Sequence, residues 1–178
     1  MRMPFLHRVE AVRRNHALEH ATIALLMAKL GRPVRLLGRA SADGFFIVGN
    51  VSRDEVAWAV GEALARLRGG ESHLALTPLC GTNMVVAGLL AALASHWVLG
   101  QRNARGRWET LAQAVLASTL AVTIAQPLGR WAQRYITTSA DMQGFQVQGV
   151  YQIGQLPIYK VATIWQASRP EGPVPPWG

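Results

Sequence analysis

The chain has 178 residues, half of them hydrophobic, and only 16% are charged, well under the roughly 25% usual for soluble domains. That composition excludes disorder over most of the length, and a single cysteine excludes an intrachain disulfide. The formal charge of +8 does not read as a nucleic-acid surface. The arginines fall in small groups (Arg13-Arg14, Arg66–Arg68, Arg102–Arg107, Arg130–Arg134) beside apolar segments, a pattern suited to lipid headgroups.

The opening MRMPFLHRVE lacks the apolar run of a signal peptide. Residues 8–30 then predict a helix, with Val9, Val12, Leu18, Ile23, Leu25, Leu26 and Leu30 as its apolar stripe and Gly31-Arg32-Pro33 as its stop. Val34–Leu37 is strand-like, Ser41–Gly44 reads as a turn, and Phe45–Val48 is a second β-prone run. Ser52 stands three residues before Glu55, the spacing of a capping box, and starts a helix running to about Arg68 and ended by Gly69-Gly70. His73–Leu76 reads as a third short strand, and Pro78–Gly81 as a turn.

No Lys, Arg, Asp or Glu occurs from Met84 to Leu99 or from Thr110 to Gly129. Residues 82–100 and 108–131 therefore predict a two-helix transmembrane hairpin, with Trp97, Trp108 and Trp131 near the segment ends. A buried hairpin in a soluble core is the competing reading. Three arginines in Gln101–Arg107 argue for a cytoplasmic loop, while Arg130, Arg134 and the basic N-terminal region pull the other way. A reduced thiol favours the cytoplasmic side for the N-terminal domain. Gly144–Ile153 alternates with period two, and Ile158–Gln166 follows a Gly-Gln-Leu-Pro turn, so a β-hairpin is expected there. The expected organisation is α+β. It comprises a domain over 1–81, the membrane hairpin over 82–133, a β-hairpin over 140–168 completing a small antiparallel sheet packed with two helices, and a disordered tail over 169–178. No internal repeat is evident.

His16-Ala17-Leu18-Glu19-His20 is the sharpest chemical feature. Two histidines at i and i+4 project from one helix face, about 5–6 Å apart at Cβ, and both imidazoles can reach one metal ion. Glu19, on an adjoining face, can take a proton without being a ligand. This order is the inverzincin pattern. A helix whose histidines only pack or face solvent is the bland alternative. Zinc needs a further protein ligand, and the candidates are His7, His73, His96, Cys80 or a carboxylate. His96 lies inside an apolar segment. Cys80 lies in a tight turn before a helix, where a thiolate can be held, and His16, His20 and Cys80 leave a fourth position open. Iron or another divalent ion is compatible with the same donors. Asn15 and Thr22 flank the motif and read as solvent-exposed, His73 as polar surface, and Asp43 as a turn residue.

These residues resemble the S-ribosylhomocysteine lyases (autoinducer-2 synthases), which have a His-Thr-Leu-Glu-His helix, a Gly-Phe-Tyr strand, an amphipathic helix and a Cys-Gly-Thr turn. The same order here is His16–His20, Gly44-Phe45-Phe46, Asp54–Arg68 and Cys80-Gly81-Thr82, covering residues 12–83. The resemblance implies that His16, His20 and Cys80 are metal ligands and that Glu19 is the catalytic base. The pitrilysin-type peptidases share the helix motif and a related α+β fold, but take a Glu as third ligand. As a whole the chain also resembles bacterial membrane proteins opening on the same His-Ala-Leu-Glu-His. It departs from the lyases at Ser41, where they carry a second cysteine for proton shuttling, and in having only fifteen residues before the motif. The expectation is a membrane-anchored zinc hydrolase acting on a peptide or amide bond through a zinc-activated water. A lyase or isomerase of a small metabolite, or a non-enzymatic membrane subunit with a structural metal, are the rivals. Membrane lipids and an unidentified peptide or small-molecule substrate are the expected partners, with a second copy of the chain as a further candidate and no nucleic acid.

Overall fold

A computed structural model describes residues 5–31, 34–78, 80–100 and 106–166. The expected stop at Arg32-Pro33, most of the arginine-bearing loop at 101–105 and the tail at 169–178 lie outside the described residues. The fold is α+β, with four α-helices and a small antiparallel four-stranded sheet among the described residues. In chain order these are α1 (Phe5–Leu30), β1 (Leu37–Ser41), β2 (Gly44–Val48), α2 (Arg53–Arg68), α3 (Gly81–Gly100), α4 (Arg107–Ala132), β3 (Phe145–Gln152) and β4 (Ile158–Trp165). The chain divides into two compact units. One holds the residues up to Ala75 and from Ser139 onward, the other Leu76–Thr138.

In the first unit the strand order is β1-β2-β4-β3, with every neighbouring pair antiparallel. The C-terminal hairpin β3–β4 thus joins the N-terminal hairpin β1–β2 in one sheet. One sheet face is buried through Phe45 and Ile47 of β2, Phe145 and Val150 of β3, and Val161 of β4. Leu18 and Leu26 of α1 and Val56, Val60 and Leu67 of α2 complete that core. Phe145 and Val150 are five positions apart, an odd spacing that strict alternation would send to opposite faces. A register shift between Val147 and Gly149 resets the parity, so both point inward.

Local sequence explains the element ends. α1 stops at Gly31, whose φ of +57° suits the left-handed position after a helix. The Ser52 hydroxyl accepts from Glu55 N–H at 3.2 Å, and Ser52 N–H donates to Glu55 Oε2 at 2.7 Å. This capping box starts α2 and stabilises it by about 1 kcal/mol. The expected strand at His73–Leu76 is instead a 3-10 turn over Ser72–Ala75. Leu74 N–H donates to Glu71 O at 3.1 Å, so the segment closes on itself rather than on a sheet edge.

Arg14 is nearly buried and held by Glu10 Oε2 at 2.7 Å, Asp141 Oδ2 at 2.8 Å and the face of Trp165 at 4.1 Å. Three carboxylates of this unit titrate below their ordinary range. The backbone N–H of Gln143 and then Arg14 lower Asp141, and the Ser41 hydroxyl and then Lys160 lower Asp43. At Glu10 burial pushes upward but is outweighed by hydrogen bonds from Arg13 and Arg14. A depressed folded-state value means stability that is complete above the ordinary carboxylate range of about 4 and lost as pH falls through the lower folded values. The melting temperature is therefore expected to be level from neutral pH to about 5 and to fall below 4. Asp141→Asn should lower it at neutral pH and flatten the acid slope; an unchanged slope would deny Asp141 a share.

In the second unit, α3 and the continuous helical stretch Arg107–Thr137 are each long and apolar enough to cross a membrane. The last turn, Gln133–Thr137, widens to π-helical geometry. Leu89, Leu93 and Trp97 of α3 and Leu116, Leu120 and Ile124 of α4 are exposed. The two helices meet through small residues and through Ser95 Oγ and Ser118 Oγ at 2.6 Å, with Ser118 also donating to Ala114 O at 2.8 Å. The hydroxyls are thus satisfied inside the apolar pair.

Candidate metal centre

α1 is the longest helix of its unit, and its middle carries His16, Glu19 and His20. The two imidazoles lie 4.3 Å apart between ring centroids, at 61° to one another. One ligand nitrogen from each lies within 4.8 Å of the other. A small side-chain rotation brings that separation to roughly 3.4 Å, the edge of a tetrahedron with Zn–N bonds near 2.1 Å. His16 is partly open, whereas His20 is 4% exposed.

Burial of His20 comes with a specific partner. Its Nδ1 lies 2.8 Å from the carbonyl oxygen of Ala75, in the 3-10 turn. A carbonyl can only accept, so Nδ1 carries the hydrogen and Nε2 presents its lone pair. A backbone carbonyl on the far nitrogen is the usual way a ligating histidine is oriented and its tautomer fixed. The turn that replaces the expected third strand therefore has a part in the site, and sequence reading missed it.

Glu19 is almost fully buried, and its Oε2 sits 4.0 Å from His16 Nε2. The carboxylate is thus beside the imidazole of His16. Neighbours on α1 fix the helix against the sheet. Asn15 Nδ2 donates to Ser41 O at 2.9 Å, and Thr163 Oγ1 donates to Asn15 Oδ1 at 2.7 Å. Thr22 Oγ1 donates to Leu18 O at 2.7 Å. Asn15 and Thr22 are fully buried, which corrects the expectation of solvent exposure. Their polar atoms are satisfied one turn or one strand away, a pairing that spacing along one helix does not reveal.

Ser41 Oγ donates to Asp43 Oδ1 at 2.7 Å and receives Lys160 Nζ at 3.2 Å. The Gly44 carbonyl oxygen, at 2.9 Å, is a second acceptor for the same hydroxyl, and Asp43, which titrates low, is a poor activator. His73 is exposed on its turn.

Cys80 belongs to the second unit and is buried there, immediately before α3. Its N–H donates to Thr77 O at 3.4 Å, and Thr82 N–H points at its sulfur at 3.4 Å. The segment leading to it is pinned by amides. Gln133 is fully buried, with Nε2 donating to Thr77 O at 3.0 Å and to Asn83 Oδ1 at 2.8 Å, while Thr77 N–H donates to Gln133 Oε1 at 3.0 Å. Asn83 Nδ2 donates to Thr77 O at 3.1 Å and to Pro78 O at 3.0 Å. The Gln133 and Asn83 amides thus tie down Thr77 and Pro78, shortly before Cys80.

The family model described as Domain of unknown function (DUF6391) matches residues 11–150. The chain belongs to this family. It is also similar to an uncharacterized protein of Picosynechococcus sp., at 36% identity over 154 residues that cover 79% of this chain and 72% of that protein. No solved structure matches the chain. The family match spans both histidines, Glu19, Cys80 and the two apolar helices.

Proposed function

We propose that this protein is a membrane-anchored zinc hydrolase in which His16, His20 and Cys80 hold the metal and Glu19 is the general base. The observation that carries the reading is the Nδ1–H of His20 on the Ala75 carbonyl, which leaves Nε2 as a lone-pair donor on a ring packed beside His16. The imidazole of His16, 4.3 Å away between ring centroids, offers the second nitrogen.

Cys80 follows Ala75 by five residues, and such a segment spans at most about 17 Å. The turn at Ala75 therefore limits how far the thiolate can lie from His20. One nitrogen from each histidine and the thiolate sulfur form a donor set suited to zinc, with iron or another divalent ion as an alternative load. Bound there, zinc would supply Lewis acidity to a carbonyl oxygen and make a water acidic near neutral pH. Glu19 accepts the proton of the attacking water and returns it to the leaving nitrogen of a peptide or amide bond. The burial of Glu19 excludes bulk water from that transfer. α3 and α4 cross the bilayer in this reading, and the metal-binding unit faces the cytoplasm, where a lone thiol stays reduced.

The test is Glu19→Gln in detergent-purified protein, assayed for zinc and for cleavage of a quenched-fluorescent peptide library. Zinc should be retained while turnover falls by about 10²–10⁴-fold. Turnover unchanged in the variant overturns the role of Glu19. Zinc retained with no cleavage by the native chain favours a structural metal or a non-hydrolytic reaction.

A further inference from the structure

Gly38, the second residue of β1, has no backbone reason to be glycine, since its φ lies outside the left-handed region. Glycine weakens a strand interior, and its presence there marks either a bulge or a close approach. β1 and β2 pair without a shift from Leu37↔Val48 to Ser41↔Gly44, which excludes a bulge. The close approach is made by Glu19. A β-carbon on Gly38 would lie 2.7 Å from Glu19 Cγ and closer still to the carboxylate carbon and Oε1. The Glu19 side chain therefore occupies the volume that any other residue at 38 would fill. Its second oxygen, Oε2, is the one turned toward His16.

We infer that Gly38 is a positioning residue that seats the Glu19 carboxylate beside the His16–His20 pair. The inference rests on Glu19 acting as the base, as proposed above. The bare backbone of β1 forms a floor under the carboxylate. With one oxygen against that floor, the other is held on the metal-facing side. A methyl group at 38 displaces the end of a flexible side chain and leaves the β-sheet and the histidines where they are. It thus separates placement of the base from metal binding.

Two measurements test this. In metal-free protein, Gly38→Ala should lower the melting temperature by about 3–6 °C when Glu19 is present. In a Glu19→Ala background, Gly38→Ala should be neutral or stabilising, because alanine suits a strand better than glycine once the clash is gone. Equal shifts in both backgrounds overturn the contact. In cobalt-loaded protein, acetohydroxamate binding is followed through the visible cobalt bands. This probe chelates the metal and gives its hydroxyl proton to a nearby carboxylate. Gly38→Ala should weaken it by about tenfold or more while cobalt affinity stays within about twofold. Unchanged hydroxamate affinity overturns the positioning role even if the melting temperatures are coupled. If the native chain takes up no cobalt, the metal reading fails and the positioning role with it, whatever the melting temperatures do.

Discussion

Replacing His20 with alanine is expected to weaken zinc binding by more than about 100-fold, beyond the 10–100-fold typical of losing a residue that only orients a ligand. The substitution removes one nitrogen donor and leaves the buried Ala75 carbonyl, now accepting from His20 Nδ1 at 2.8 Å, without that partner. The fold should survive, because the core packed by Leu18, Leu26, Phe45 and Val60 does not use the imidazole. His16→Ala should lose metal to a similar degree with a smaller change in melting temperature, since His16 is the more open of the two. Equilibrium dialysis against zinc, with thermal unfolding of the same samples, checks both. If either variant keeps native affinity, that histidine is not a ligand.

The largest effect on stability is expected at Gly44, where β2 begins. Its φ is +137°, a region closed to other residues. A β-carbon there would overlap the Val161 carbonyl oxygen and lie 3.0 Å from the Val161 carbonyl carbon. Val161 is opposite Phe45 in the β2–β4 pairing that joins the N- and C-terminal hairpins. Gly44→Ala therefore combines backbone strain with a clash against backbone that cannot swing aside. A loss of about 4 kcal/mol is expected, roughly a 15 °C fall in melting temperature for a unit of this size. Gly61, on α2 with open space at its β-carbon, is the control. Gly61→Ala should be neutral or stabilise by up to about 1 kcal/mol. A small effect at Gly44 would mean that the two hairpins are not locked at this point.

The sequence made legible whatever depends on spacing within one element. His16 and His20 share a helix face because four residues make about one turn, and Ser52 and Glu55 cap a helix because three residues close the box. The apolar runs on either side of residue 100 declare themselves by the absence of charge. Features that depend on two distant segments were not legible. Asn15 reads as a surface residue until Ser41 and Thr163 are brought against it. Gly38 lies just past the strand expected at Val34–Leu37, and nothing in the sequence marks it until Glu19 is laid across it. His73–Leu76 reads as a strand, where the structure has a 3-10 turn over Ser72–Ala75, because a short apolar run has too few residues to show its period. The extra residue at Gln148 is invisible to alternation, because a bulge shifts its phase without interrupting it.

The resemblance to the lyases bears unevenly on these residues. In the proposed reading its ligands and base correspond to His16, His20, Cys80 and Glu19, while Ser41, whose hydroxyl has Asp43 Oδ1 and Gly44 O as acceptors, stands where the lyases carry their partner cysteine. Hydrolysis requires only the base and an open metal position, which is why the proposed reaction departs from the lyase reaction.

The metal itself is the central claim, and elemental analysis of the full chain purified in detergent tests it most directly. About one zinc, or one equivalent of another divalent ion, per chain is expected, lost together with its binding when His16, His20 or Cys80 is replaced. A chain that is folded, carries no metal and takes up neither zinc nor cobalt at micromolar concentration would contradict it.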